Sequence, residues 1–249
     1  VVRVELAKEP PTNPEPERYA RAARFLHDWK MNDTLLEDSQ PAIYVCHQQF
    51  EVEGHNLARR GFLARLRLEP FGAGQVYPHE ETMPGPKADR LKLYHATGMN
   101  ISPVFGMYPD TANEVQGLIE DAIRGRTPLQ ATDHLGVVSR VWPLADHEIV
   151  SRVRGLMGPR PIFIADGHHR YETAIRYRED RRATGAVRDA ESPANFCLMM
   201  CVGMSDPGLV ILPTHRLVSG LSGLTFETLR SLLITEFEIE AVGDDDNAG

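Results

Sequence analysis

The stretch Pro161-Ile162-Phe163-Ile164-Ala165 carries no polar side chain, and it ends abruptly on Asp166-Gly167. A short, wholly apolar run bounded by Pro and Gly reads as a buried strand. The pattern then changes period. From His169 to about Arg182, Tyr171, Ala174 and Ile175 fall on one helical face. A buried strand that gives way at once to a helix puts both element types into one core.

The rest of the chain fits that frame. Val1 to Leu6 reads as a strand, and the prolines between Pro10 and Pro16 read as a stiff connector. Ala22, Phe25, Leu26 and Trp29 recur at helical spacing. Ala42 to Phe50 reads as a strand. After Gly54, which suggests a hairpin-like return, Phe62, Ala64, Leu66 and Leu68 alternate with Arg65, Arg67 and Glu69 in a half-exposed one. Residues 70–87 read as a long Gly- and Pro-rich loop. Next come a helix from Ala88 to Thr97, a strand over Pro103 to Tyr108, and an amphipathic helix on Val115, Leu118, Ile119, Ala122 and Ile123. Gly136 to Trp142 predicts a strand, and Ile149, Val150, Val153, Leu156 and Met157 a helix. Beyond the central segment, strands are predicted over Asn195–Val202, Leu209–Leu212 and Phe237–Ile239, with a helix around Phe226, Leu229 and Leu233.

Strands and helices are mixed without strict alternation, which predicts an α+β fold: mixed sheet flanked by helices. One continuous unit over residues 1–249 is expected, with a natural subdivision into 1–109 and 110–249. The chain opens inside a strand-like run and closes on the polar tail Gly243 to Gly249, so both ends look cut from a longer chain.

Composition narrows the function classes. Hydrophobic residues make up 42% and charged residues 25%, as in ordinary globular proteins. The net charge of −8 argues against a nucleic-acid surface, which is normally basic. No apolar run reaches membrane-spanning length, and the N-terminus shows no signal-peptide core. Cys46, Cys197 and Cys201 show no metal-ligand spacing, so a reduced, cytoplasmic protein is expected.

The chemistry concentrates at Asp166-Gly167-His168-His169-Arg170. The first amides of a helix lack intrahelical partners, and they carry partial positive charge. Asp166 suits the N-cap, and Gly167 permits tight geometry or close approach of a ligand. His168, His169 and Arg170 then place potentially cationic groups at the end of a helix that disfavours cations. An anion bound there, phosphate above all, would resolve that conflict. Two other readings stay open: Asp166 merely caps while the histidines face solvent, or His169 and Glu172 share a divalent metal.

A second cluster lies in and just after the 70–87 loop. Lys87 and Arg90 are candidate phosphate clamps, Glu80 or His79 a candidate general base, and Asp89 a candidate Mg²⁺ ligand. Thr82 accompanies them. Solvated loop charges explain the same residues equally well. His215 and Arg216, after the strand-like run at Leu209–Leu212, form a third cluster that a polar turn would also account for.

The segment Ile164 to Ala174 resembles the signature of domain-of-unknown-function family 1015. The likeness extends to Pro78-His79-Glu80, Thr82, Gly85-Pro86-Lys87, Asp89-Arg90, Ser102 to Tyr108, and Leu212 to Arg216, in that order along the chain. More distantly, the turn is similar to the phosphate-binding turn of the ParB/sulfiredoxin-like superfamily, which includes free-serine kinases. That second resemblance implies phosphate contacts from Gly167, His168, His169 and Arg170. Together these observations set up three expectations. The first is a nucleotide-dependent phosphotransferase using ATP, ADP or CTP, with Mg²⁺, on a small hydroxyl-bearing metabolite such as serine. In it Glu80, Asp166 and His169 are the catalytic candidates. The second is a non-catalytic, ParB-like nucleotide switch, and the third a metal-dependent hydrolase. The expected partner in the first two is a small phosphate-bearing molecule.

Overall fold

The computed structural model describes residues 2–5, 15–211 and 219–240. Its strands are β1 (Ile43–Val52), β2 (His55–Arg67), β3 (Val76–Tyr77), β4 (Val104–Tyr108), β5 (Leu129–Thr132), β6 (Val138–Leu144), β7 (Ile162–Asp166) and β8 (Phe196–Gly203). Its helices are α1 (Val2–Glu5), α2 (Glu15–Met31), α3 (Pro84–Thr97), α4 (Glu114–Ile123), α5 (His147–Met157), α6 (His168–Ala183) and α7 (Phe226–Leu233). The chain divides into two compact units, Val1–Leu209 and Val210–Gly249.

All eight strands join one mixed sheet in the order β3-β7-β4-β8-β2-β1-β6-β5, so the fold is α+β. It grows from the β1–β2 hairpin, where Glu53 and Gly54 both take positive φ, the two-residue turn that matches the twist of paired strands. β8 joins β2 antiparallel, β4 joins β8 parallel, and β7 joins β4 antiparallel. The period-two pattern of β2 holds: Phe62 and Leu68 are buried, and Ala64 and Leu66 pack beside them.

One sheet face carries the main core. Val115, Ile119 and Ile123 of α4, Val153 of α5, and Tyr171 and Ala174 of α6 pack on Val45, Phe62, Val104, Ile164 and Met199. On the opposite face Cys46, Met200 and Val202 form a smaller cluster. Burial pushes the thiols of Cys197 and Cys201 up to about 12, so they behave as small hydrophobes. α2 and α3 pack on each other through Tyr19, Ala22, Leu26 and Leu93.

Two buried polar side chains fix α6. The Tyr171 hydroxyl donates to the carbonyl of Glu69 and accepts its amide, at 2.9 and 3.1 Å. Arg178 donates to the carbonyl of Leu68 at 2.6 Å. The start of α6 is therefore held in place relative to the sheet.

Several expectations need correction. Val2–Glu5 is a helical turn, because Val4 packs into the α2–α3 cluster instead of pairing with a strand. The 70–87 segment contains the edge strand β3, and α3 starts at Pro84, where proline suits the first helical turn. β7 is not buried on both faces: Ile162 and Ile164 point into the core, while Phe163 stacks on Tyr77 at 5.4 Å on the other side. The edge strand β5 escaped notice because all four of its residues are exposed, leaving no apolar alternation to read. Residues 209–211 form no strand, and 212 lies outside the described residues. Phe237–Ile239 forms none either; the amide of Phe237 bonds back to the carbonyl of Leu233. No helix among the described residues is long and apolar enough to cross a membrane.

Candidate functional site

The turn from β7 into α6 is built around Gly167. Asp166 still pairs with Phe105 of β4, so the strand runs one residue further than the apolar run suggests. Gly167 then takes φ 93°, a left-handed conformation that costs other residues about 1–2 kcal/mol. A Cβ there would stand 3.0 Å from the Arg170 guanidinium. The first intrahelical bond runs from the Tyr171 amide to the Gly167 carbonyl at 3.0 Å.

Asp166 is not the N-cap. The cap position belongs to Gly167, no side chain caps α6, and its first turn holds no acidic residue. The Asp166 carboxylate is 76% exposed and pairs with Arg170 at 2.6 Å. Its part in the sheet places it one residue too early to reach the helix amides. Arg170 also donates to the carbonyl of Pro103, so its guanidinium spans the turn.

The 79–83 segment lies over this helix start. The His79 amide donates to Nε2 of His168 at 3.3 Å, and the Met83 amide donates to Nε2 of His169 at 3.0 Å. A ring nitrogen that accepts a hydrogen bond carries no proton, so both imidazoles are neutral here with the proton on Nδ1. His79 Nδ1 in turn donates to the carbonyl of Ile164 at 2.6 Å, which leaves its Nε2 as the basic nitrogen. The rings of His79 and His168 meet edge to face, with centroids 4.5 Å apart.

His168 is fully buried, and its Nδ1 faces Glu80 Oε1 at 2.9 Å, close enough for a charge contact but outside hydrogen-bond angles. Burial pushes its imidazole below the ordinary value, and the neighbouring carboxylate of Glu80 offsets part of that shift. One turn along, Glu172 accepts the hydroxyl of Thr82 and pairs with Lys87 at 3.2 Å. The expectation of three cations on the first turn is thus corrected. Two of them are neutral acceptors for the loop, and the third is neutralised by Asp166.

A family model described as Protein of unknown function (DUF1015) matches residues 1–248. The chain belongs to that family. No curated protein and no solved structure matches it.

In this DUF1015 chain the structure brings His79, Glu80, Thr82 and Lys87 to the 166–172 turn, but not all of the second cluster. On α3, positions 87 and 89 lie about 200° apart around the helix. Asp89 therefore faces α2, where it accepts the Tyr19 hydroxyl at 2.8 Å and pairs with Arg18. Arg90 pairs with Glu5 at 3.4 Å. His215 and Arg216 lie outside the described residues. Among the described residues no group of three or more His, Cys, Asp or Glu is arranged to hold a metal ion, so His169 and Glu172 do not form the core of one.

Three participants carry little or no sequence signal. The carbonyls of Ile164 and Pro103 orient His79 and Arg170, and backbone acceptors leave no sequence signal. Thr173 is buried on α6 with no partner for its hydroxyl. Its only signal is spacing: it stands four residues after His169, on the same helical face.

Proposed function

We propose that the β7–α6 turn binds the phosphate of a nucleotide, and that the protein transfers a phosphoryl group to a small hydroxyl-bearing metabolite. The observation that carries this reading is the helix start itself. α6 begins on a left-handed glycine with no side-chain cap and no acidic first-turn residue, so its free amides have no internal anion. The Nδ1–H of His169 adds a neutral donor, and Arg170 and Lys87 add cations now shared with Asp166 and Glu172. A phosphate entering the turn would exchange places with those carboxylates. The likeness of the turn to that of ParB/sulfiredoxin-like proteins points the same way.

In the transfer, the acceptor's hydroxyl oxygen bonds to the terminal phosphorus of the nucleotide. The bond from that phosphorus to its bridging oxygen breaks, the shortened nucleotide leaves, and the hydroxyl proton passes to Glu80. Glu80 suits this role because its half-exposed carboxylate lies at the turn, 2.9 Å from Nδ1 of His168. Exposed Asp166 would offer a carboxylate to Mg²⁺, which would supply charge neutralisation for the phosphates.

The test is equilibrium binding of ATP, ADP and CTP with Mg²⁺, followed by analysis for phosphorylated products from pooled hydroxyl metabolites. Arg170→Ala should weaken nucleotide binding at least about tenfold, or about 1.4 kcal/mol. Unchanged affinity would remove Arg170 from the site. Glu80→Gln should keep binding and lose turnover. Nucleotide binding without product in the native protein would leave a sensing role for the same turn, and no binding of any of the three would end the phosphate reading.

A further inference from the structure

α3 and α6 enclose a cleft of about 570 Å³, within the range of small-molecule sites. Its walls are largely apolar, with Phe71, Leu91 and Ile175 among them, and the half-exposed Lys87–Glu172 pair borders it. The most deeply buried residue lining it is Thr173, 2% exposed, whose hydroxyl has no hydrogen-bond partner. A buried hydroxyl left unpaired is costly, so this one is a demand that a ligand can meet.

We infer that this cleft binds a small molecule with a compact apolar body and a hydroxyl group that pairs with Thr173. The spacing along α6 supports this. Thr173 stands four residues beyond His169, and Glu172 four beyond His168, so Thr173 lies about 6 Å along the axis from His169. As the acceptor site of a phosphotransferase the cleft rests on the function proposed above; as a binding site it does not.

The test uses benzyl alcohol and toluene as probes, titrated separately into the full chain without nucleotide and read from the methyl NMR signals of Leu91 and Ile175. Both probes should give saturable shifts. Thr173→Val keeps the shape and removes the hydroxyl. It should lower the affinity of benzyl alcohol relative to toluene about fivefold, the value of one ordinary hydrogen bond of about 1 kcal/mol. Ala88→Trp, at an exposed position on the cleft, should abolish both shifts without disturbing the core.

Absence of saturable shifts from both probes overturns the cleft as a site, whatever the nucleotide assays give. An unchanged affinity ratio in Thr173→Val overturns the hydroxyl pairing. In that case the Thr173 hydroxyl is served by water in the cavity of about 40 Å³ that it also borders, beside Arg90 and Arg170. Probe binding in a chain that binds no nucleotide would keep the cleft and end the phosphate reading alone.

Discussion

α4 follows β4 and α6 follows β7, neighbouring strands of one sheet, yet the two helix starts are closed in different ways. At α4 the carboxylate of Asp110, 2% exposed, accepts the amides of Glu114, Val115 and Gln116 at 3.0, 3.1 and 3.3 Å. Arg160 then balances that charge at 3.1 Å and also holds Glu114 at 2.6 Å. At α6 the nearest carboxylate, Asp166, lies out in solvent against Arg170, and the helix amides meet only a glycine turn. Both helix starts carry the same partial positive charge. One is satisfied by the protein's own buried anion and serves the fold. The other has no capping side chain and no acidic residue in its first turn.

The largest test of this contrast exchanges each carboxylate for alanine. Asp110→Ala removes the acceptor of three backbone amides and strands the charge of Arg160, so it should cost about 3 kcal/mol or more. Asp166→Ala removes one exposed ion pair and should cost less than about 1 kcal/mol. Urea unfolding measures both. Equal losses would mean that the α6 start depends on its carboxylate as α4 does, and the contrast would break.

Gly167→Ala should come next in size. A side chain at φ 93° costs about 1–2 kcal/mol, and its Cβ would displace the Arg170 guanidinium. Nucleotide affinity should fall in this variant even after correction for the fraction folded. A variant that keeps its affinity would place the ligand away from the turn.

How much of this contrast the sequence announces differs between the two helices. The strand, the glycine and the three basic residues at 166–170 are local features, and local features are legible: strand, turn and helix all form where the pattern places them, within a residue. Asp110 drew no attention, because its capping bonds reach four to six residues ahead, past Asn113 at the formal cap. Asp166 drew too much, because its side chain follows the sheet register, set by β4, and not the helix behind it. The split of the 79–90 segment was also hidden. Lys87 and Asp89 look like one cluster on paper, and only the earlier start of α3 at Pro84 turns them to opposite sides. Protonation was the least visible of all, since the neutrality of His168 and His169 comes from two backbone amides eighty-six or more residues away.

That neutrality provides the smallest and most specific test. Burial holds the folded His168 imidazole below its ordinary value near 6.5. Above about pH 6.5 the group is uncharged in both folded and unfolded chains, so its full contribution to stability is present. As pH falls from there, the unfolded chain takes up a proton that the folded chain resists. Stability must fall, by at most about 1.4 kcal/mol per pH unit, until the folded group titrates too. Unfolding free energies at pH 7.5 and 5.5 should therefore drop more in the native protein than in His168→Gln. Glu80→Gln sharpens the point, because it removes the carboxylate that favours the charged ring. The NMR titration midpoint of His168 should move further down in that variant. A midpoint that stays put would mean that Glu80 does not sense the buried imidazole. The proposal that Glu80 is the base would then lose its electrostatic support, even if the helix start still binds phosphate.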